Sequence, residues 1–238
     1  RRVLFRSDDE ILSGSGIQRE FLPPVHESQD IVGHTTPELE SETGFPSGIP
    51  VIAGAADHVA SALATGVQED GDLLLKLGGA GDILLATEEL RTDRRLFIDY
   101  HPIPGRYLIN GCMASSGSVV KWLMGQLGLD DFDKVSAEAS ALPPGSEGLV
   151  LLPYFLGEKT PIFDTNARGV FFGLSLNHRR EHLFRAALEA VAFGFRHHVD
   201  VLAEMKADVK RVYLSNGGAK SELWKKIVVD VIGKPAEY

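Results

Sequence analysis

Three stretches of this chain place glycines and small residues where an apolar run ends, and each could bring bare backbone close to an anion. Gly78-Gly-Ala-Gly81 separates two apolar runs, and its N–H groups could approach a phosphate. As a hairpin turn the same glycines need no ligand, since they supply positive φ. Asn110-Gly-Cys-Met-Ala-Ser-Ser-Gly-Ser118 follows a short strand pattern over 106–110 and feeds a helix bearing Val119, Val120, Leu123, Met124 and Leu127 on one face. A helix N-terminus there has unpaired N–H groups and a positive dipole end, which suits an anion; Ser115 or Ser116 as an ordinary cap is the plainer alternative. Asn216-Gly217-Gly218 ends a third strand, after which Ser221 caps a helix that Gly233 stops. One such unit means little, whereas three suggest a crevice lined by amides that hold a polyphosphate. None matches G-x-G-x-x-G or G-x-x-x-x-G-K-[ST].

A carboxylate joins these turns. Val51-Ile-Ala-Gly-Ala-Ala-Asp-His-Val-Ala-Ser-Ala-Leu-Ala-Thr-Gly66 runs from an apolar strand through a small-residue bend into an alanine-rich helical pattern, with Asp57 at the bend. A side chain there can face a crevice. Asp is also a preferred helix N-cap, and Gly66 would close the same helix. His178-Arg-Arg-Glu-His182 matches the H-x-x-E-H zinc pattern of one peptidase class, with His178, Glu181 and His182 as the residues concerned. No third ligand is evident, so a solvated first turn of the helix is expected and no metal site is assigned. His197 and His198 are neighbours on one helix and cannot face the same way.

The elements that must position these groups follow from composition and period. The chain has 238 residues, 44% of them apolar and 24% charged, enough for one large domain or two smaller ones. A net charge of −9, with Lys and Arg scattered, argues against a nucleic-acid surface. Cys112 is the single cysteine, so no internal disulfide or cysteine metal cage can form and a reducing, cytoplasmic compartment fits. No run approaches the ~18 apolar residues of a membrane span. Arg1-Arg-Val-Leu-Phe-Arg-Ser7 relates poorly to the rest of the chain, reads as a scar of cloning or assembly, and is excluded from fold reasoning. Residues 8–50 are polar, rich in Pro and Gly, and read as a surface-running connection with a short acidic helix from Thr36. Asp70 to Thr87 reads as strand, glycine turn, strand, and Gly148 to Tyr154 as a buried strand. Leu156 to Leu174 is a long loop dense in charged and aromatic groups, the kind more often functional than not. The longest helix runs from about Arg179 to Lys206, and its stripe of Leu183, Phe184, Ala187, Leu188, Val191, Phe195, Val199 and Leu202 faces a core.

In order and wording these segments resemble the FGGY carbohydrate kinases, the group of xylulokinase, ribulokinase, gluconokinase and glycerol kinase. The matching segments are Gly54-Ala-Ala-Asp57, the strands around Gly78–Gly81, and Gly111 to Leu123. Leu152-Pro-Tyr-Phe-Leu-Gly-Glu-Lys-Thr-Pro161 with Asn166-Ala-Arg-Gly-Val-Phe-Phe-Gly-Leu174, and Ser215-Asn-Gly-Gly-Ala-Lys-Ser-Glu-Leu-Trp224, complete the set. The likeness runs from about residue 10 to the end. It implies an α/β, actin-like ATPase architecture of ribonuclease-H-like domains, each a mixed sheet flanked by helices. Residues 8–66 would then be the end of the first, sugar-binding domain and 67–238 most of the second, ATP-binding one, truncated at its C-terminus. It implies ATP and Mg²⁺ as cofactors and a sugar or polyol hydroxyl as acceptor, with Asp57 as general base and His58 beside it at the substrate. Gly78, Gly79, Gly81, Gly117, Lys121, Gly217, Gly218 and Glu222 fall on nucleotide-binding positions. The turn common in the family as Gly-Thr-Ser-Gly is Gly-Gly-Ala-Gly here, which leaves only backbone donors for the terminal phosphate. The other partner implied is the missing N-terminal domain, without which this fragment alone would turn over no sugar; a homodimer is left open. The alternative to a kinase is a non-catalytic relative that keeps the nucleotide cleft as a regulatory module.

Overall fold

The structure is a computed structural model that describes residues 9–238; the opening heptapeptide lies outside the described residues. A six-stranded mixed sheet forms its centre, built from β3 (Asp72–Leu77), β4 (Gly81–Thr87), β5 (Phe97–Tyr100), β6 (Tyr107–Met113), β9 (Arg211–Ser215) and β10 (Ala236–Glu237). The strand order is β10-β9-β3-β4-β6-β5, with β9 parallel to β3 and β10, and the remaining pairs antiparallel.

Strands β3 and β4 are almost wholly apolar because both faces of the sheet are covered. Alternate residues go to opposite sides. Leu73, Leu75, Leu77, Ile83, Leu85 and Ile109 pack with the long helix α6 (Arg180–Glu204), through Phe184, Leu188, Val191 and Phe195. Leu74, Leu84, Ala86 and Leu108 face the other way, onto Val59 and Ala62 of α3 (Asp57–Ala64) and onto Val67. The α6 side also holds α4 (Gly117–Gln126), α5 (Phe132–Ser140) and α7 (Glu222–Ile232).

Two small antiparallel ribbons stand outside this sheet. The first pairs β1 (Ile31–His34) with β2 (Pro50–Ile52), every residue of it exposed. Before and between its strands lie α1 (Asp9–Ser15) and α2 (Pro37–Thr43), the latter capped by Thr36, whose hydroxyl accepts from the Leu39 N–H. The second pairs β7 (Val150–Leu152) with β8 (Val170–Phe172). The expected buried strand at Gly148–Tyr154 is therefore half exposed: Leu151 points into the core, while Val150 and Leu152 face outward. The expected loop 156–174 contains β8, since Val170-Phe-Phe172 is short enough to pass unnoticed in a run without period.

Other expectations also change. Asp57 is the first residue of α3, not its cap; Ala56 takes the cap position in extended geometry, and the Asp57 carboxylate instead accepts from the next N–H, that of His58. Gly66 does end this turn at φ 93°, its N–H donating to Leu63 O. Ser116 stands at the cap of α4 but its side chain makes no cap bond. Ser221 caps α7 by accepting from Trp224 N, and Gly233 closes it at φ 74°.

Candidate functional site

The sheet register brings the three glycine turns to one edge. Leu77, at the end of β3, pairs with Gly81 at the start of β4, and Gly81 pairs with Met113 at the end of β6. Lys76 pairs with Ser215 at the end of β9. The chain leaves all three strand ends through small residues, around a cavity of about 650 Å³. Gly78, Gly79, Gly117, Lys121, Gly217 and Gly218 line it, with Leu77, Val120, Met124, Phe132 and Trp224 as its apolar wall. Gly81 and Glu222 are not in this lining. Gly81 is buried, where a Cβ would sit 3.2–3.3 Å from Met113 and Phe195, and Glu222 is exposed and holds Lys225 Nζ at 2.7 Å.

Packing explains two of these glycines. A Cβ on Gly117 would lie 2.7 Å from the Gly78 carbonyl oxygen, and one on Gly218 would lie 2.6 Å from Leu77 Cβ and 2.7 Å from the Trp224 ring. Gly79 differs, because a Cβ there meets nothing within 4 Å and its backbone faces open space.

The N–H groups at the head of α4 are not free, contrary to expectation. Gly117 donates to Gly78 O at 2.8 Å, and Ser116 and Ser118 donate to Gly79 O at 2.9 and 3.1 Å. The turn folds back onto the helix and its carbonyls take the donors that an anion would have used. Among the described residues, the N–H groups of Gly79, Gly217 and Gly218 enter no turn, loop or cap bond. These are the cavity's backbone donors. Two further features mark this end of the sheet. Asn216 sits at φ 72° and ψ −173°, a region that costs a residue with a Cβ about 1–3 kcal/mol. The Ser115, Ser116 and Ser118 hydroxyls are buried with no partner among the described residues. Lys121, exposed on the second turn of α4, supplies a cation to the cavity.

Asp57 lies on the opposite face of the sheet from α4, at the start of α3, with its carboxylate fully exposed. The His58 N–H, and after it the His58 ring, holds the carboxyl below the ordinary carboxylate range, and Lys76 adds to this. Lys76 is the second-last residue of β3, two before Gly78, so Asp57 feels charge from the same strand end that feeds the cavity. The His58 ring is fixed between two carboxylates, with Nδ1 3.5 Å from Asp57 Oδ1 and Nε2 3.1 Å from Asp99 Oδ2. Asn110 Nδ2 donates to the same Asp99 oxygen at 2.6 Å. A smaller cavity of about 270 Å³ opens beside them, walled by Gly54, Ala55, Ala56, Asp99 and Tyr100 among others. Asp99 and Asn110 were not legible as site residues; their one signal is a polar side chain within an otherwise apolar strand.

The segment after β7 is tied to β6. Glu158 is buried and accepts from the Ala114 and Lys159 N–H groups, both at 2.7 Å; burial pushes its carboxyl up. Thr160 Oγ1 accepts from Cys112 N and lies 2.9 Å from His198 Nε2. His198 Nδ1 is 2.7 Å from the Gly194 carbonyl, so Nδ1 carries the proton and Nε2 accepts from Thr160. His197, one residue away, is exposed.

The expected solvated turn at His178–His182 is instead partly buried. His182 is 2% exposed, its Nδ1 accepts from Arg179 N, and its Nε2 is 3.4 Å from Glu147; Glu181 is also buried and pairs with Arg179. Both groups pack where α6 begins under the 145–149 turn. Among the described residues no cluster of three His, Cys, Asp or Glu side chains could hold a metal ion.

The donor set fits a nucleotide polyphosphate better than a bare metal. It offers unpaired N–H groups, one lysine and an apolar wall large enough for a base, with a glycine kept open at Gly79. Sequence comparison agrees with that chemistry. Residues 81–238 match the C-terminal domain of the FGGY family of carbohydrate kinases, and residues 6–64 match its N-terminal domain. The chain is 30% identical to a gluconokinase of Bacillus subtilis (strain 168), covering 94% of this chain and 46% of that protein. It is 30% identical to a xylulose kinase of Escherichia coli (strain K12), covering 97% and 48%. Among solved structures it is similar to the xylulose kinase from Rhodospirillum rubrum, with TM-score 0.86 and 45% identity over 96% of this chain and 47% of that one. It is also similar to the ligand-bound xylulose kinase from Lactobacillus acidophilus, with TM-score 0.87 and 26% identity over 96% and 47%. The chain thus spans about half the length of these relatives.

Proposed function

The chain belongs to the FGGY family of carbohydrate kinases, and from that premise we propose that the whole protein transfers the γ-phosphoryl group of ATP to a hydroxyl of a sugar or polyol. The observation that carries this reading is the convergence of three glycine turns on one cavity, with the Gly79, Gly217 and Gly218 N–H groups unspent. Residues 8–66 are then the end of the sugar-binding domain and 67–238 the ATP-binding domain, of ribonuclease-H-like, actin-like design.

ATP supplies the phosphoryl group. Gly79 lies under its terminal phosphate and Lys121 offsets its charge, while Gly218 admits the nucleoside against Trp224. Glu222 and Gly81 act at the margin, one beside the base and one behind the turn. With no three-carboxylate cluster among the described residues, Mg²⁺ would be carried by ATP and water more than by this chain, and would offset phosphate charge. Asp57 accepts the proton of the attacking hydroxyl, with His58 fixing the carboxylate and reaching the acceptor. The carboxyl is ionised at neutral pH, as a general base must be, and because the His58 N–H holds it below the ordinary range its contribution comes from position more than from basicity. Phosphoryl transfer asks little covalent chemistry of a protein, and positioning with charge stabilisation is most of the work.

The test is a panel of ketoses, polyols and aldonates offered to the full-length protein with Mg·ATP. The gluconokinase and xylulose kinase relatives put gluconate and xylulose first. ADP released only in the presence of one of these acceptors is the expected result. A protein that binds ATP but consumes none with any acceptor would be the non-catalytic relative, for which the Gly-Gly-Ala-Gly turn is the motive.

A further inference from the structure

One charged pair interrupts two apolar strands at the end that feeds the glycine turn. Between Leu73 and Ala86 every residue is apolar or glycine except Lys76 and Asp82. The register sets these two opposite each other, and sets Asp82 opposite Cys112. Lys76 Nζ lies 2.9 Å from Asp82 Oδ2, and both side chains are partly buried. Each is two residues from a leucine of the α3 side, Lys76 from Leu74 and Asp82 from Leu84, so both share the face on which Asp57 begins α3. After His58, Lys76 is the group whose charge the Asp57 carboxylate feels. A cross-strand ion pair that water still reaches adds little to stability. Breaks in an otherwise consistent local pattern concentrate at functional sites.

The glycine turn stands between two faces of the sheet. On the far face lies the larger cavity, with Leu77, Val120 and Trp224 in its wall and Lys121 as its cation. On the near face lie Asp57 and Lys76. The turn itself, Gly78-Gly-Ala-Gly81, has no charged or hydroxyl side chain. A phosphoryl group that leaves ATP for a hydroxyl beside Asp57 therefore passes from the side of Lys121 to the side of Lys76. We propose that Lys76 is a further catalytic residue, the cation that meets the phosphoryl group on the acceptor side of the turn. This inference rests on the kinase reading above. In the step, the bond from the γ-phosphorus to the ADP oxygen breaks and a bond to the acceptor oxygen forms, while the acceptor proton goes to Asp57. Lys76 makes and breaks no bond; it offsets charge spread over the oxygens in transfer. An ammonium has three donors, and Asp82 engages one side of it, fixing the head and leaving the rest for phosphoryl oxygens. Lys159, whose Nζ is 3.8 Å from Cys112 Sγ, is a further cation of this row, beside β6 and so two strands from Lys76.

In the full-length protein with Mg·ATP and an accepted sugar, Lys76→Met should lower kcat roughly 10²-fold, the scale of losing one donor aimed at developing charge. Its Kd for ATP, read from the ATP-dependent rise in Tm, should change by less than about threefold. Lys76→Asp combined with Asp82→Lys separates catalysis from structure. The ion pair survives the exchange, but the cation moves one strand across, by about 4.8 Å. That double variant should unfold near the parent Tm and keep the low kcat. Turnover restored by the exchange, near-normal kcat in Lys76→Met, or an ATP affinity that falls as far as kcat would each overturn the inference while leaving the kinase reading in place. A parent protein that transfers no phosphoryl group to any acceptor would overturn that reading, and this inference with it.

Discussion

Replacing Gly117 by alanine adds one methyl group at the point where the Gly78–Gly81 turn and α4 are joined. The new Cβ would lie 2.7 Å from the Gly78 carbonyl oxygen, where ordinary contacts begin at 3.4 Å, so helix and turn must part by about 0.7 Å. Neither side is a flexible side chain, and the movement stretches three hydrogen bonds at once: Gly117 to Gly78 O, and Ser116 and Ser118 to Gly79 O. Overpacking of this kind costs about 1–3 kcal/mol, against which the better helix propensity of alanine returns less than about 1 kcal/mol. At about 2 kcal/mol net, a domain of 150–250 residues such as the one holding Gly117 loses roughly 4–8 °C in the Tm of its own transition. The displacement carries Gly79 with it, so affinity for ATP should fall about tenfold or more, each factor of ten being 1.4 kcal/mol. Thermal unfolding of the full-length protein with and without ATP reads both effects. Gly79→Ala is the contrasting case. Its Cβ meets no atom within 4 Å, so Tm without nucleotide should not move, while the methyl group stands where the phosphate would lie and the ATP-dependent rise in Tm should shrink. An unchanged ATP-dependent rise in both variants would refute the placement of phosphate over this turn.

Two further outcomes follow from single groups. In the full-length protein Asp57→Asn should keep the fold and ATP binding while lowering the proposed sugar phosphorylation by at least ~10²-fold, and near-normal turnover would sink the base assignment. His198 is almost wholly buried and its pKa is pushed down to about 4 by burial, with the Gly194 carbonyl acting against this. Its folded value lies below the ordinary 6.5, so protons bind the unfolded chain more tightly. The stabilisation from neutral His198 is complete above pH 6.5 and is lost as the pH falls from there towards 4, by about 3 kcal/mol. Urea midpoints measured across that window should fall less steeply in His198→Gln, and parallel slopes in parent and variant would remove His198 from the account.

Much of the fold could be read from the chain because period and punctuation agree in its second half. The hairpin around Gly78, the long α6 and the Ser221–Gly233 helix each carry a strong apolar pattern between clear stops. Six of the eight nucleotide-binding candidates line one cavity for the same reason: a glycine that ends a strand is visible in the sequence. What escaped notice depends on contacts between distant segments. Nothing near Asp99 tells that it faces His58, 41 residues earlier, and nothing near Thr160 tells that it joins Cys112 to His198. The free N–H groups expected at α4 were misjudged because a local rule about helix ends cannot see that Gly78 and Gly79 fold back over them. His182 was expected in solvent because the H-x-x-E-H spacing says nothing of the 145–149 turn that covers it.

The consumed donors of α4 also bear on how the site is built. Three turns separated by scores of residues reach one cavity only because the registers Leu77–Gly81–Met113 and Lys76–Ser215 align the ends of β3, β6 and β9. A slip of one residue in any of these pairings would exchange the two buried faces, moving Leu74 and Leu84 off α3 and Leu73 and Ile83 off α6. Register is therefore enforced by hydrophobic burial on both faces, far from any ligand. The turn carbonyls then clamp α4 at hydrogen-bond distance, so the gap between Gly79 and the Gly217–Gly218 amides is set by the sheet and not by side chains that could rotate. Backbone donors held this way are already oriented before a charged ligand arrives, and little reorganisation remains for it to drive. Such a design tolerates the loss of a hydroxyl from the turn more readily than the gain of a methyl group at Gly117 or Gly218.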